Sequence, residues 1–135
     1  MPRYRLLLEF DGGPFVGWQI QANGPSVQAA LEAAADAMAT RLGPIVAAGR
    51  TDAGVHALAL PVHLDLASDL MPERVMSGLN HFLRPLPIVV LEAGRVPAGF
   101  HARFDATARH YRYLLLSRRG PPALLAGRVW HVTVP

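Results

Sequence analysis

The sequence predicts an α+β domain in which a mainly antiparallel sheet carries two helices on one face. Apolar residues alternate with other residues over 3–11 and again over 58–66, as they do in half-buried strands. Residues 27–42 and 75–83 instead place apolar side chains three and four positions apart, which is the spacing of an amphipathic helix. Strands whose connecting helices cover one face are typical of α+β folds.

The composition is that of one folded domain with excess positive charge. With 135 residues, 51% of them hydrophobic, the chain can bury a sizeable core. It has no cysteine, which excludes disulfides and thiolate metal sites, and no apolar run as long as a membrane span. The N-terminus does not resemble a signal peptide, so we expect a cytoplasmic location. All 13 basic residues are arginines concentrated late in the chain, which favours an anionic partner.

Turn residues and caps bound the first predicted elements. The strand over 3–11 ends in a glycine-rich turn. Ser26 is suited to cap the first helix, whose apolar spacing runs from Val27 to Leu42 before the Gly-Pro pair at 43–44 stops it. A short buried strand over 45–48 should follow.

The later elements are predicted in the same way. Pro61 lies inside the strand over 58–66 and argues for an edge position or a bulge. Pro72 precedes the second helix, whose apolar face includes Phe82. Further strands are predicted over 88–91, over 107–116 and from 129 onward.

The most informative stretch is the loop over 49–56, which reads Gly-Arg-Thr-Asp-Ala-Gly-Val-His. Glycines on both sides of Asp52 let the backbone turn sharply and let another chain approach closely. Arg50 would keep the Asp52 carboxylate ionised and offers a planar group for a phosphate or a base. A carboxylate on a loop tip is a candidate catalytic group. On chemistry alone the favoured alternative is an Asx turn, with Arg50 as an ion-pair partner of Asp52.

Two other segments have the composition of a nucleotide-binding surface. Residues 15–21 combine Phe15 and Trp18 with two glutamines, which suits stacking on and hydrogen bonding to a nucleotide. The alternative is that these rings seal the end of the core. Residues 100–113 interleave aromatic side chains with arginines, as single-stranded RNA or a flipped base requires. An amphipathic sheet edge explains this second segment equally well.

Together these runs closely resemble the tRNA pseudouridine synthase A family. The loop over 49–56 matches the signature loop of that family. A Gly-Gly turn with Gly-Trp-Gln-x-Gln precedes it, and Leu-Asn, Phe-His-Ala-Arg-Phe and Ala-Arg-x-Tyr-x-Tyr follow in the family's order. The match covers the chain from Phe10 to about Arg119. Phe10 stands where a tyrosine is usual, and Ile20 stands where an arginine is usual, which removes a possible RNA contact.

The resemblance implies a fold and an activity. The fold would be the N-terminal half of the pseudouridine synthase fold, a ferredoxin-like or RRM-like sheet, as a single catalytic-type domain over residues 1–135. The activity would be the isomerisation of uridine to pseudouridine in the anticodon stem-loop of tRNA, at the family's target positions 38–40. The family uses neither a metal nor another cofactor.

The resemblance also implies roles for individual residues. Asp52 aligns with the catalytic aspartate, a nucleophile toward the ribose C1′ or the uracil ring. Tyr111 aligns with the active-site tyrosine, which can stack on the flipped uracil. The residues that would contact RNA are Arg50, Phe100, His101, Ala102, Arg103, Phe104 and Arg119.

Family members have a second, similar half, and the active-site cleft lies between the halves. That half supplies a basic residue that pairs with the catalytic aspartate and an aliphatic residue under the base, and neither is found in this sequence. We therefore expect the chain to work with a complementing C-terminal half or in a homodimer like that of the family. The alternative is an RNA-binding module of the same fold that does not catalyse.

Overall fold

The computed structural model describes residues 1–133, which form a four-stranded antiparallel sheet, a two-stranded sheet and two helices. The strands of the larger sheet lie in the order β2, β3, β1, β4. This β-α-β-β-α-β arrangement confirms the predicted α+β, ferredoxin-like class. The elements are β1 (Arg3–Phe10), α1 (Val27–Met38), β2 (Val46–Ala47), β3 (Ala57–Asp65), α2 (Pro72–Leu83), β4 (Ile88–Val96), β5 (Leu115–Ser117) and β6 (Trp130–Val132).

β1 lies between β3 and β4, and its alternation supplies the centre of the core. Tyr4, Leu6 and Leu8 are completely buried in the cluster that joins the sheet to both helices. Leu6 lies opposite Val62 of β3 and Ala93 of β4. One face of the sheet is therefore covered by the helices.

α1 begins where the cap predicts and ends earlier than predicted. Ser26 Oγ accepts a hydrogen bond from the backbone N–H of Ala29 (3.1 Å). The helix ends at Met38, so Leu42 lies outside it. The N–H of Leu42 donates to the carbonyl of Asp65 at the end of β3 (2.9 Å). Pairing with β3 therefore replaces the last predicted turn of the helix.

β3 is an interior strand, so the edge position predicted from Pro61 is wrong. The pairing with β2 ends beside Pro61, whose carbonyl accepts a hydrogen bond from the N–H of Ala48 (2.8 Å). The register with β1 shifts between Leu8 and Phe10, so an irregularity of the predicted kind lies just before Pro61, which itself pairs with Leu7. Leu58 lies within this shift and is 68% exposed, so it leaves the predicted apolar face.

α2 and β4 complete the main sheet layer. The buried face of α2 is formed by Val75, Leu79 and Leu83, whereas Phe82, which was predicted to lie on it, is 45% exposed. β4 reaches Val96, beyond the predicted strand, because it pairs along the whole of β1. Within residues 1–133, neither α1 nor α2 is long and apolar enough to cross a membrane.

The strand predicted from Thr107 is wrong over most of its length. Residues 106–114 have no regular structure, and only β5 forms, in parallel pairing with β6. An alternating pattern forms a strand only where a neighbouring backbone accepts its hydrogen bonds. Within residues 106–117 of the described chain, backbone pairing with β6 begins at Leu114, whose carbonyl accepts a hydrogen bond from the N–H of Trp130 (2.6 Å). The strand predicted from residue 129 is confirmed as β6.

Candidate active site

The loop that carries Asp52 joins β2 to β3 and is closed by backbone contacts. The N–H of Val55 donates to the carbonyl of Asp52 across a β-turn (3.1 Å). Gly54, the third residue of that turn, has a φ of +78°, a conformation that favours glycine. The turn therefore holds its shape without using the side chain of Asp52.

The Asp52 carboxylate is exposed. No hydrogen bond or ion pair joins it to another side chain or amide within residues 1–133. Arg50 Nη1 donates instead to Gln19 Oε1 (3.3 Å). Residues 1–133 therefore contain neither the Asx turn nor the Arg50–Asp52 ion pair that the chemistry alone favoured. A carboxylate without a structural partner is available to a ligand.

A second loop, residues 12–18, packs against the Asp52 turn. The N–H of Trp18 donates to the carbonyl of Thr51 (3.1 Å), and Gly17 pairs with Asp52 in an isolated bridge. Gly17 has a φ of +119°, and a Cβ at this position would lie 2.6 Å from the Thr51 carbonyl oxygen. The close approach of the two loops therefore requires glycine.

The two aromatic rings of the second loop belong to the core. Phe15 and Trp18 are 5% and 3% exposed, which confirms the alternative that they seal the end of the core. Trp18 also contributes to the wall of a groove beside Arg50. The Trp18 ring therefore packs in the core and also borders the groove of the candidate site.

A charged cluster ties the C-terminal segment to the same loops. Arg128 Nη2 donates to Asp11 Oδ2 (2.7 Å), and the N–H of Gly13 donates to Asp11 Oδ1 (2.9 Å). The Arg128 hydrogen bond, followed by that of Gly13, lowers the pKa of Asp11 to about 2. His56, at the end of the Asp52 loop, contacts the carbonyl of Gly127 through Nε2 (2.7 Å). These contacts set where the C-terminal segment lies relative to Asp52.

Residues 100–105 form a compact turn, the His101 turn, which contains most of the predicted RNA-contact residues. His101 Nδ1 accepts hydrogen bonds from the N–H groups of Arg103 (3.2 Å) and Phe104 (3.1 Å), and Asp105 Oδ2 accepts one from the N–H of His101 (2.7 Å). The Phe104 and His101 rings stack with centroids 4.1 Å apart. Phe104 is 78% exposed, so one face of its ring is open to a further stacking partner.

A histidine that the sequence patterns did not single out anchors the His101 turn to the sheet. His63 of β3 is 3% exposed, and its Nδ1 accepts a hydrogen bond from the N–H of Ala102 (3.0 Å). Burial, followed by Arg3 and His101, lowers the pKa of His63, which favours the neutral ring. Arg3 also donates to the carbonyl of Phe100. A histidine inside the apolar run of a strand was the sequence signal for this anchor.

A groove of about 290 Å³ brings together residues predicted to contact RNA. It lies between the Asp52 loop, the His101 turn and β2. Guanidinium groups beside aromatic rings are what an RNA base and its phosphate require. The side chains that argue for a nucleotide are Gln19, Arg50, His101, Arg103 and Phe104.

Tyr111 lies beside the same loop, and Arg109 holds that segment in place. Arg109 Nε donates to the carbonyl of Ala48 (2.9 Å), and its Nη2 donates to the carbonyl of Arg103 (3.1 Å). The Tyr111 hydroxyl lies 3.9 Å from the position of a Cβ on Gly49, and Tyr111 is 66% exposed. Arg109, which sequence reasoning had not assigned, therefore joins the end of β2 to the His101 turn.

The chain has relatives that match it along its whole length. It is 57% identical to the tRNA pseudouridine synthase A of Nitrobacter winogradskyi over 135 residues, and 53% identical to that of Maricaulis maris over 133 residues. By sequence, the chain belongs to the tRNA pseudouridine synthase A family. The two matches cover 100% and 98% of this chain and 53% of each relative. No protein-family model matches the chain.

The chain spans about half the length of the curated tRNA pseudouridine synthase A relatives that it matches, which agrees with the predicted half. Five of the residues singled out from the family resemblance do not line the groove, and two of these are Asp52 and Tyr111. Ala102 is 3% exposed, so its side chain is not available to RNA. Phe100 packs edge-on near His63, with ring centroids 6.4 Å apart. Arg119 is exposed after β5 and does not line the groove.

Proposed function

We propose that this chain supplies the catalytic domain of a tRNA pseudouridine synthase, with Asp52 as its nucleophile. The observation that carries the proposal is the exposed Asp52 carboxylate, which stands on a backbone-closed turn without a partner in residues 1–133. The relatives that match the chain are named tRNA pseudouridine synthase A. Residues 1–135 form the catalytic-type domain, and a C-terminal half or a second copy completes the cleft.

A carboxylate can perform the exchange of glycosidic bonds that pseudouridine formation needs. Attack of an Asp52 oxygen on C1′ of uridine breaks the C1′–N1 bond, and the electron pair of that bond leaves on N1 of uracil. The freed uracil turns, and its C5 attacks C1′ and displaces the carboxylate. Loss of the C5 proton and uptake of a proton at N1 then give pseudouridine. In the second route, the same carboxylate attacks a uracil ring carbon.

The target base must leave its stack before Asp52 can reach it. Arg50 stands two residues before Asp52 and lines the groove, which suits a side chain that fills the space left by the flipped nucleotide. Its hydrogen bond to Gln19 is long, at 3.3 Å, so the guanidinium can move at little cost. Tyr111 is exposed beside Gly49, where its ring can stack on uracil and its hydroxyl can assist loss of the C5 proton.

The His101 turn contacts the RNA around the target. The open face of Phe104 stacks on a base, while the Arg103 guanidinium binds a phosphate or a base edge. His101 lines the same groove. Arg119 contacts phosphate outside it. The substrate in this proposal is the anticodon stem-loop of tRNA, with uridines at positions 38–40.

A non-catalytic RNA-binding module is the second candidate. The chain spans about half of its relatives, so a cleft between two halves would lack one wall. Within residues 1–133, the nearest arginine in sequence, Arg50, bonds Gln19 and leaves Asp52 without a basic partner. Both observations favour RNA binding without turnover for the chain alone.

Mixing the chain with a separately expressed C-terminal half of a relative distinguishes the two candidates. Tritium release from tRNA labelled at C5 of uridine reports turnover, and a filter-binding assay reports tRNA affinity. Release only after mixing would support a synthase that a second half completes, and release by the chain alone would support self-association. Binding of tRNA without release in either case would favour the binding module.

A further inference from the structure

The sheet face opposite the helices holds one buried histidine beneath the His101 turn. Val62 and Leu64 of β3 belong to the core, so His63 between them points to the other face. It lies across from Arg5 of β1 and Val46 of β2 and is 3% exposed. A histidine is seldom this buried unless its ring makes a specific hydrogen bond.

That hydrogen bond runs to the backbone of the His101 turn. The N–H of Ala102 donates to His63 Nδ1 (3.0 Å), and Ala102 is itself 3% exposed. Because both partners are shielded from water, loss of the acceptor would leave a buried N–H group unsatisfied. The His101 ring also packs edge-on against the His63 ring, with centroids 4.9 Å apart. His63 therefore anchors the middle of the turn, while Arg3 and Arg109 bond the carbonyls of Phe100 and Arg103.

The residues that follow Ala102 are the ones that face the groove. Arg103 and Phe104 both donate backbone N–H groups to His101 Nδ1, so these contacts tie both residues to His101. We propose that His63 is a positioning residue for RNA binding, whose ring nitrogen holds the His101 turn in the shape that presents Arg103 and Phe104 to RNA. This inference rests on the proposed function, in which those two side chains contact tRNA.

A matched pair of variants at His63 distinguishes the effect of the hydrogen-bond acceptor from the effect of side-chain shape. Asparagine and leucine are similar in shape, and Oδ1 of asparagine takes the place of the histidine Nδ1. We expect His63→Leu to raise the Kd of the chain for unmodified tRNA about tenfold, the factor that corresponds to about 1.4 kcal/mol. The Kd of His63→Asn should stay within about threefold of that of the unchanged chain. In the complemented enzyme, His63→Leu should raise KM while kcat changes little.

Hydrogen exchange at the Ala102 amide measures the same contact without RNA. The amide should exchange faster in His63→Leu and at nearly the original rate in His63→Asn, with thermal unfolding showing that each variant is folded. His63→Phe, which keeps a flat ring, takes the place of His63→Leu if that variant unfolds.

Two outcomes would overturn the positioning role of His63. The first is equal tRNA affinity for His63→Leu and the unchanged chain, and the second is equal loss of affinity in the leucine and asparagine variants. If the unchanged chain does not bind tRNA, the proposed function fails. The exchange rate of Ala102 then decides by itself whether His63 holds the turn, so the two failures are distinguishable.

Discussion

Replacing Gly17 with alanine should displace the turn that carries Asp52. The φ of Gly17 is +119°, and the added Cβ would lie 2.6 Å from the Thr51 carbonyl oxygen, closer than real side chains come. The same oxygen accepts the hydrogen bond from the N–H of Trp18 (3.1 Å). Because the clash is with backbone, relief requires movement of the Asp52 loop itself.

Two terms set the expected loss of stability. Holding a residue with a side chain at this φ costs about 1–3 kcal/mol, and loss of the Trp18–Thr51 hydrogen bond adds about 1 kcal/mol. We therefore expect Gly17→Ala to lower the free energy of unfolding by about 2–4 kcal/mol. Gly43 has a φ of +70° with open space around its Cβ position, so Gly43→Ala should cost only about 1 kcal/mol.

Urea unfolding followed by tryptophan fluorescence measures these free energies. Gly94 has open space and no positive φ, so Gly94→Ala should change stability little and completes the series. In the complemented enzyme, Gly17→Ala should also lower turnover, because the nucleophile moves with its loop. Equal destabilisation by Gly17→Ala and Gly43→Ala would refute the reasoning, since it would show that the two loops separate without cost.

Two further predictions concern groups around the turn. Tyr111→Phe should lower turnover more than tRNA affinity, because it removes the hydroxyl and keeps the stacking ring. Equal losses of turnover and of tRNA affinity would make Tyr111 a binding residue only. Arg128→Met should raise the pKa of Asp11 from about 2 toward its ordinary 3.8, measured by carbon-13 NMR. Since folding lowers this pKa, the stability from Asp11 is present above about pH 4 and is lost as the pH falls toward 2. An unchanged titration in Arg128→Met would contradict the ion pair.

Much of the fold could be predicted because its signals are local. The alternation of β1 and the Ser26 cap of α1 depend only on neighbouring residues, and both are found where predicted. The failures depend on distant partners. Leu42 leaves the helix because its N–H bonds Asp65, and the pattern from Thr107 remains irregular where no neighbouring strand is available within residues 1–133.

The candidate site divides in the same way. The loop around Asp52 could be found from the order of its residues alone, but its contacts could not. Arg50 bonds Gln19, which directly follows the second loop, whereas the sequence suggested an ion pair with Asp52. The anchors His63 and Arg109 bond backbone groups far along the chain; the histidine within the apolar strand was a local signal, but its partner could not be found from the sequence.

Tritium release by Asp52→Asn in the complemented enzyme tests the central claim most directly. Asparagine keeps the size of the side chain, and the turn uses only the backbone of residue 52, so the fold and tRNA binding should persist. Glu92→Gln, which changes an exposed acid on β4 at the opposite edge of the sheet from β2, is the matched control. We predict that release falls about a thousandfold or more in Asp52→Asn and is unchanged in the control. Release by Asp52→Asn within a few-fold of the unchanged enzyme would contradict the assignment of Asp52 as the nucleophile.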